Sequence, residues 1–444
     1  MAIVGEQSSP SVPSLPTEIL THIASFLTPS LTRGWLPNTR GKQYDQWKEQ
    51  HKVITSLQFT DRRFAAVCRP LVWRSVCFSS EDRQEKGPAT LFELNDVHTF
   101  VVELRWEIGA WTYTDMSPLF LPFLTNLASL AVLQEDDGWG YPLTVPTSLT
   151  HMIRSLRKLR SLQLDDFDSF ADQTFDLGAE LPELSSLALG SWWDHDVWKE
   201  VPPRTVDLHY TQDWEVYWEH SDERVIVQYL PFLKHLTLDS YLGVDRSSSH
   251  RPPRVVSDID SFFAELIEEH PVETRASFPL ESLTITKLVL FESEGLVEFL
   301  HTLTSCAALR SLAFIDCSPK KTGHTATWRN LRMPHIESLT IAMRKPPSKP
   351  LPLQTLLDAF PNLTELDISD VLNPRATLNA SLDTLAGLPA EILILLQFAR
   401  EKSAIERLTI RFPARNEILR CWRVGDAEAE KGSYGFAREL WREW

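Results

Sequence analysis

The sequence predicts an α/β chain in which a small helical domain precedes an irregular solenoid of short parallel strands, with helices and loops on the outer side. Three observations support this prediction. A short amphipathic segment occupies residues 15–27. From Leu124 onward, a phrase of the form Leu-x-x-Leu-x-x-Leu-x-Leu recurs. With 444 residues, 43% of them hydrophobic, the chain is long enough for two or three domains, or for one domain and a repeat array.

The segment at residues 15–27 is predicted to form one helix with an apolar face. Pro16 fits a first helical turn, where no backbone N–H is needed. Glu18, in the same turn, complements the helix dipole, and Pro29 ends the helix. Periodicity alone favours packing within its own domain, since most such faces are core. The apolar positions are Ile19, Leu20, Ile23, Phe26 and Leu27.

The order of residues in this helix is more informative than its spacing. The pattern Leu-Pro-x-Glu-Ile-Leu-x-x-Ile-x-x-Phe-Leu over residues 15–27 resembles the opening of an F-box. The segments 61–69 and 70–76, which include Asp-Arg-Arg-Phe and Pro-Leu-Val-Trp-Arg-Ser-Val, resemble the close that is common in fungal F-box proteins. The resemblance covers residues 13–78, a small part of the chain.

The two halves of this F-box-like region are further apart than in a typical F-box. Residues 28–52 separate them and include Trp35, Pro37, Gly41 and Trp47. We interpret this stretch as a loop insertion that has room for a short helix of its own. The geometry of the second and third helices depends on how this insertion is accommodated, and docking of a partner depends on that geometry.

The recurring leucine phrase predicts a leucine-rich repeat. Equivalent leucines lie 25 residues apart from Leu162 to Leu187, 29 from Leu283 to Leu312, and 27 from Leu312 to Leu339, as in known repeats of this type. The last two apolar residues of each phrase lie two apart, so they point to one side of a short strand. A single repeat cannot bury that side alone, so neighbouring repeats must stack.

The repeat array is predicted to be irregular. An Asn or Cys three residues after the last core position is mostly missing, Cys317 being an exception, and wide gaps surround Leu236. A degenerate repeat is expected around Asp207. An F-box followed by leucine-rich repeats is a recognised layout of substrate receptors, so the two halves support each other. The predicted domains are a disordered N-terminus at 1–13, an F-box-like domain at 14–78, a linker at 79–89, the solenoid at 90–433 and a C-terminal helix at 434–444 that caps the array.

Charge and cysteine content restrict the partners and the compartment. The net charge of −16 disfavours phosphate backbones and anionic lipids, so neither nucleic acid nor a membrane is an expected partner, although a local basic patch escapes this average. Five cysteines without a C-x-x-C pair indicate reduced thiols in a cytoplasmic or nuclear protein. Residues 1–14 lack the features of a secretory signal, and no apolar run is long enough for a membrane span.

The sequence contains no complete motif for a known catalytic chemistry. Gly41-Lys42 lacks the preceding glycine and the following Ser or Thr of a phosphate loop. Asp194-His195-Asp196 is better explained as a solvated turn than as a metal site, because adjacent residues on an extended chain point apart. We therefore expect no cofactor, no metal and no enzymatic activity.

Two groups of residues are candidates for binding a target protein. Residues flanking the core leucines should line the inner face of the strands, either as a binding floor or as a tolerated polar surface. The aromatic cluster between repeats either anchors an interface or fills the core of an irregular insertion. The candidates are Trp192, Trp193, Trp198, Trp214, Trp218, Gln163, His235 and Asp367.

The resemblance implies a substrate-recognition subunit of a Skp–cullin–F-box ubiquitin ligase. The F-box would dock on a Skp-type adaptor and through it on a cullin, and the repeats would hold an unknown protein target. Two alternatives remain open: an F-box scaffold acting outside a cullin ligase and, more remotely, an enzyme built on the solenoid. The residues implied in adaptor binding are Leu15, Pro16, Ile19, Leu20, Ile23, Phe26, Leu27, Pro70, Leu71 and Trp73.

Overall fold

The structure is a computed structural model of the chain, and it divides into two compact units, Met1–Glu135 and Asp136–Glu443. The predicted N-terminus at 1–13 and linker at 79–89 lie outside the described residues. Side chains of 40–46 and of parts of some strands are also outside the description. The described residues are 16–28, 40–60, 62–78, 96–108, 120–134, 143–165, 167–172, 174–189, 201–213, 232–241, 279–286, 300–301, 303–317, 331–343, 358–369, 406–412, 417–423 and 434–440.

The first unit contains three helices: α1 (Thr17–Phe26), α2 (Arg40–Gln58) and α3 (Arg62–Val72). Helix α3 packs against both α1 and α2. The core of this unit contains side chains from all three helices, so the helices form one small bundle with an apolar centre. The fully buried members are Ala24, Ile54, Cys68 and Val72, and the partly buried ones packed around them are Leu57, Phe64, Val67, Leu71 and Trp73.

Helix α1 begins one residue later than its proline suggests. Pro16 has an extended ψ of 148° and occupies the N-cap, and its carbonyl accepts the N–H groups of Ile19 and Leu20 at 3.1 and 3.2 Å. Glu18 lies in the first turn, as predicted. The helix ends at Phe26, where the N–H of Leu27 donates to the carbonyl of Ala24 at 3.1 Å.

Within the predicted insertion at 28–52, residues 40–52 are helical, but they do not form the separate short helix that the prediction allowed for. These residues belong to the 19-residue helix α2, which continues without a break to Gln58. The run contains no proline and only one glycine, Gly41, and it is rich in Lys, Gln and Glu, which favour helix. The insertion therefore lengthens the second helix of the bundle.

The first unit also contains three parallel strands: β1 (Ser75–Phe78), β2 (Glu103–Ile108) and β3 (Ser129–Gln134). Strand β1 pairs with β2 from Ser75 opposite Glu103 to Phe78 opposite Trp106, and β2 pairs with β3. The last four residues of the F-box-like region, Ser75–Phe78, thus form a strand of a parallel sheet. Short 3₁₀ turns at Val97–Phe100 and Leu121–Phe123 precede β2 and β3.

The second unit is a parallel-strand solenoid, which confirms the predicted fold class. Its main sheet follows chain order and ends in an antiparallel hairpin, while Leu143–Val145 and Phe167–Phe170 form a small parallel pair. A helix at Thr147–Arg154 and one turn at Leu177–Glu180 connect strands. The strands are β4 (Leu143–Val145), β5 (Ser161–Asp165), β6 (Phe167–Phe170), β7 (Ser186–Leu189), β8 (Asp207–Asp213), β9 (His235–Tyr241), β10 (Ser282–Thr286), β11 (Ser311–Cys317), β12 (Ser338–Met343), β13 (Glu365–Ser369), β14 (Arg407–Phe412), β15 (Glu417–Arg423) and β16 (Tyr434–Leu440).

Equivalent leucines of the repeats lie side by side in this sheet. Leu283 pairs with Leu312, and Leu312 with Leu339, so the sequence phrase and the strand register coincide. Each of these leucines is at most 3% exposed, so burying them drives the stacking of repeats. The row comprises Leu162, Leu187, Leu208, Leu236, Leu283, Leu312, Leu339, Leu366 and Leu408.

The first half of the leucine phrase forms successive three-residue turns. The N–H of Cys306 donates to Leu303 at 3.0 Å, and the N–H of Leu309 donates to Cys306 at 3.1 Å. All three side chains are buried. A turn of three residues returns every third side chain to the same side, and a strand then returns every second one. The change of spacing within the phrase therefore marks where the turns end and the strand begins.

Neighbouring repeats are joined just before each strand by a shared carbonyl. The N–H groups of Lys234 and His235 both donate to the carbonyl of Val206, at 2.8 and 3.0 Å. The same arrangement repeats at Lys234, which accepts from Glu281 and Ser282. These paired hydrogen bonds fix the register of one repeat on the next before side chains are considered.

The C-terminal segment differs from its prediction. Tyr434–Leu440 forms a strand, β16, paired antiparallel with β15, and not the predicted helix. Phe436 and Leu440 are four residues apart, a spacing that fits both a helical face and an alternating strand. Gly435 disfavours helix, and β15 supplies a backbone partner along the whole of β16.

Candidate docking surfaces

Helix α1 divides its apolar residues between the bundle core and the surface. Leu20 and Ala24 are 3% and 0% exposed, whereas Ile19, Ile23 and Phe26 are 45%, 38% and 76% exposed. The three exposed residues, hereafter the α1 stripe, lie four and three apart and share one helical face. The bundle core of the described residues thus takes up Leu20 and Ala24 and leaves the α1 stripe exposed.

Phe26 is the most exposed member of the α1 stripe, and its ring meets a neighbour on the same helix. The ring of His22 contacts it edge-on, with centroids 4.7 Å apart. Large apolar side chains scattered singly on a surface are common. Ile19, Ile23 and Phe26 instead share one face of α1, which makes this face the candidate docking surface of the bundle.

The other residues implied in adaptor binding fall into different places. Leu27 and Pro70 are partly buried, and Leu71 and Trp73 pack against the bundle core. Leu20 is buried inside the bundle, so it supports the helix rather than presenting a contact surface. Leu15 lies outside the described residues.

Two ring side chains on α2 lie near the end of α3 and contact each other. His51 Nε2 lies 3.1 Å from the carbonyl of Val72, and the ring of Trp47 stacks on the imidazole with centroids 4.8 Å apart. Burial lowers the pKa of His51, and the hydrogen bond to Val72 opposes this only in part. The neutral imidazole with its proton on Nε2 therefore suits this position, since that nitrogen must donate to the carbonyl.

The strand surface of the second unit consists of two polar rows that flank the buried leucine row. Most members are small or hydroxylated, with charged residues concentrated on β8, β9, β13 and β14. The first polar row is Ser161, Ser186, Asp207, His235, Ser282, Ser311, Ser338, Glu365 and Arg407; the second is Gln163, Ala188, His209, Thr237, Thr284, Ala313, Thr340, Asp367 and Thr409.

The three predicted target-binding residues on the strands do not come together. Gln163 and Asp367 share the second polar row, on β5 and β13, whereas His235 is in the first row on β9. Strands are spaced about 4.8 Å apart, so the three residues are separated by three and four strand steps. The predicted aromatic residues Trp192, Trp193, Trp198, Trp214 and Trp218 lie outside the described residues, as do Asp194, His195 and Asp196.

The structure reveals charged residues that the repeat pattern did not single out. Lys234 Nζ lies 2.6 Å from Glu281 Oε1, and Arg310 Nε lies 3.3 Å from Glu337 Oε1, each pair joining two successive repeats. The Lys234 ammonium donates to the Glu281 carboxylate and lowers its pKa. The sequence held a signal for these ion pairs: a charged residue stands two positions before each of four successive core leucines, and its sign alternates from one repeat to the next.

The described residues contain no arrangement that favours a metal or a membrane span. No group of three or more His, Cys, Asp or Glu side chains in the described ranges is placed to hold a metal ion. In the same ranges, no helix has the length and apolar character needed to cross a bilayer.

Comparisons with known proteins find similar chains among solved structures. No family model matches the chain, and no curated protein matches it. Among solved structures, the chain is similar to one in the crystal structure of the Rad7 and Elc1 complex in yeast, with 11% identity and a TM-score of 0.40. The likeness covers 82% of this chain and 92% of that chain.

Proposed function

We propose that this chain is the substrate-recognition subunit of a Skp–cullin–F-box ubiquitin ligase. The α1 stripe docks on a Skp-type adaptor, the adaptor connects the chain to a cullin, and the solenoid holds a protein target. The chain itself is non-catalytic, and the associated conjugating enzyme transfers ubiquitin.

The observation that carries the proposal is the division of α1 between core and surface. Ile19 and Ile23 stand at the positions that the F-box resemblance assigns to adaptor contact, and both are exposed. Burying an isoleucine side chain stabilises a complex by about 1.5–3 kcal/mol when burial is complete. Because Ile19 and Ile23 are 45% and 38% exposed, burying what remains of each adds about 1 kcal/mol to the stability of the complex.

Two further features support the proposal. The helical bundle is followed directly by parallel strands, the order expected for an F-box with leucine-rich repeats. The polar rows of the solenoid have small side chains over most of their length, which leaves room for a partner to approach the sheet.

Co-purification with a Skp-type adaptor tests the proposal. Ile19→Ala/Ile23→Ala should reduce adaptor recovery at least about tenfold, corresponding to a loss of 1.4 kcal/mol or more. The double variant Phe123→Ala/Phe232→Ala is the matched control, because both of its residues are exposed apolar side chains outside α1. Leu15→Ala/Pro16→Ala provides an independent arm. Equal recovery of wild type and the α1 variant, or recovery of neither, would overturn the proposal.

The cullin step has its own test. Wild-type chain, adaptor, cullin and conjugating enzyme should together ubiquitinate proteins that proximity labelling finds with both wild type and Ile19→Ala/Ile23→Ala. The α1 variant should keep those targets and lose their ubiquitination. Adaptor binding without ubiquitination would indicate a scaffold that acts outside a cullin ligase.

A further inference from the structure

We propose that a pocket between α2 and α3 binds a short acidic segment of a protein partner through one bulky apolar side chain. This inference stands apart from the α1 stripe and does not need adaptor binding. The pocket has a volume of about 550 Å³ and lies within the first unit. Its lining comes from α2, α3, the turn after α3 and Val97.

Most residues of the lining are apolar, and one of them is an exposed aromatic residue. Val72, Trp73 and Val97 contribute to the wall. Phe59, directly after α2, also lines the pocket although it is 81% exposed. A volume in the range of typical ligand pockets, together with an exposed phenyl ring, suits insertion of one large apolar side chain.

The pocket also has polar groups that suit a peptide backbone. The Thr55 hydroxyl, in the pocket lining, is buried and has no hydrogen-bond partner among the described residues. Buried polar atoms are nearly always paired, so a carbonyl or N–H of a bound segment would satisfy this hydroxyl. Gln58 and Arg69 supply further donors in the lining.

Charge identifies the partner as acidic. Residues 40–74, which hold α2 and α3, contain eight Lys and Arg residues against three Asp and Glu residues, although the whole chain has a net charge of −16. Arg69 is exposed in the pocket lining. An acidic segment is attracted to this basic part of the chain, and Arg69 brings a positive charge to the pocket itself.

Trp73 links the pocket to the residues implied in adaptor binding, but the pocket lies on the α2 side of α3. The α1 stripe contributes no residue to the pocket lining. The two surfaces can therefore be inactivated separately, and the failure of one proposal leaves the other untouched.

Fluorescence anisotropy with the full chain tests the inference. The probes are three labelled, capped pentapeptides: Asp-Glu-Trp-Glu-Asp, the same peptide with Ala for Trp, and Lys-Arg-Trp-Arg-Lys. The first should bind at least about tenfold more tightly than either of the others, and its affinity should fall as salt is raised. A 10-nucleotide poly-dT is the polyanion control. Equal or tighter binding of poly-dT, or no preference for Trp over Ala, would overturn the inference.

Matched variants locate the binding. Ala66→Phe places a ring in the pocket from an exposed position on α3, and Ser56→Phe adds the same ring at an exposed position of α2 outside the lining. We expect Ala66→Phe to weaken binding of the acidic Trp peptide at least about tenfold and Ser56→Phe less than about twofold. Equal effects of the two rings would overturn the inference.

Two charge-reversal variants provide a separate test in case Ala66→Phe disturbs folding. Arg69→Glu and Arg62→Glu change the net charge equally, but only Arg69 lines the pocket. Arg69→Glu should weaken binding of the peptide more than Arg62→Glu by about fivefold. Identical losses would show a general charge effect and overturn the inference. Ile19→Ala/Ile23→Ala should bind the peptide as wild type does.

Discussion

The indole N–H of Trp47 donates a hydrogen bond to the hydroxyl of Ser75 at 3.2 Å, connecting helix α2 to strand β1. Ser75 is fully buried, with 0% exposure. The same indole ring stacks on His51, whose imidazole reaches the carbonyl of Val72 at the end of α3. Residues from the supposed insertion thus hold the bundle against its first strand.

Removing the Trp47 donor should destabilise the helical bundle. Trp47→Phe keeps a ring for stacking but leaves the buried Ser75 hydroxyl without this donor, so we expect a loss of about 1–2 kcal/mol. Hydrogen exchange of the α2 amides measures the loss as a decrease in protection of about tenfold.

A double-mutant cycle separates this hydrogen bond from ring packing. Ser75→Ala removes the acceptor, so Trp47→Phe should cost less in the Ser75→Ala background than in wild type. The same loss in both backgrounds would show that packing of the indole, and not the hydrogen bond, sets the stability.

The repeated leucine phrase made the solenoid predictable. Leu283, Leu312 and Leu339 occur at the same place in three phrases, and the register pairs them directly. The physical constraint is local and repeats along the chain, because each strand must place two apolar residues on one side. The divergent repeat at Leu208 was harder to place, since it keeps one core leucine and has Tyr210 at the second position.

The start of α2 and the C-terminal strand β16 lack such a repeated constraint. Residues 40–52 have few apolar side chains, so no apolar periodicity indicates a helix there. Only their helix propensity favours one. The apolar spacing of Tyr434–Leu440 suits a helix or a strand equally well, and the pairing with β15 decides between them. That pairing is a tertiary interaction, and sequence spacing does not contain it.

The docking residues on α1 were only partly separable from sequence. Ile19 and Leu20 are adjacent, and both belong to one broad apolar stripe by spacing. The structure buries Leu20 and exposes Ile19, because α3 covers only one part of the stripe. Which part a neighbour covers depends on the angle between the helices, and spacing does not determine it.

Acidification should loosen the bundle through His51. Burial lowers the pKa of His51 in the fold, whereas in the unfolded chain it returns to about 6.5. The contribution of neutral His51 to the free energy of unfolding is therefore fully present above pH about 6.5. It is lost as the pH falls from there through the pKa of the folded state. Hydrogen exchange of the α2 amides between pH 7.5 and 5, corrected for the intrinsic pH dependence of exchange, should show this loss.

His51→Gln should flatten that part of the pH dependence, because glutamine carries no titrating group. His22→Gln is the matched control, since His22 lies exposed on α1 and touches Phe26. If the α2 amides of His51→Gln respond to pH as wild type does, protonation of His51 is not the cause.

Turn leucines should matter to stability as much as strand leucines do. Leu309 precedes β11 in the three-residue turns and is 0% exposed, and Leu312 within β11 is 1% exposed. Leu309→Ala and Leu312→Ala should each cost about 2–5 kcal/mol, because each leaves a cavity. Thr284→Ala, in a polar row, should cost within about 0.5 kcal/mol. Urea unfolding followed by circular dichroism makes the comparison, and a cost for Leu309→Ala near that of Thr284→Ala would refute the structural role of the turns.

Arg154 is the centre of a charged cluster in the second unit. Its guanidinium lies 3.0 Å from Asp172 Oδ2 and 3.3 Å from Glu180 Oε1, and 5.3 Å from the centre of the Phe175 ring. The hydroxyl and N–H of Thr174 donate to Asp172 and, together with Arg154, lower the pKa of its carboxyl group. One arginine thus connects the helix Thr147–Arg154 with the segments on both sides of Phe175.

Replacing Arg154 should therefore cost more stability than replacing a surface arginine. Arg154 is 22% exposed and has several partners, whereas Arg160 is 68% exposed and pairs with Glu183 alone among the described ion pairs. We expect Arg154→Ala to cost about 1–2 kcal/mol and Arg160→Ala less than about 1 kcal/mol. Urea unfolding of both variants in low and high salt makes the comparison. Salt screens exposed ion pairs most. The small loss of stability in Arg160→Ala should therefore vanish in high salt, while much of the loss in Arg154→Ala remains. Equal salt sensitivity of the two losses would contradict the assignment of Arg154 to a partly buried cluster.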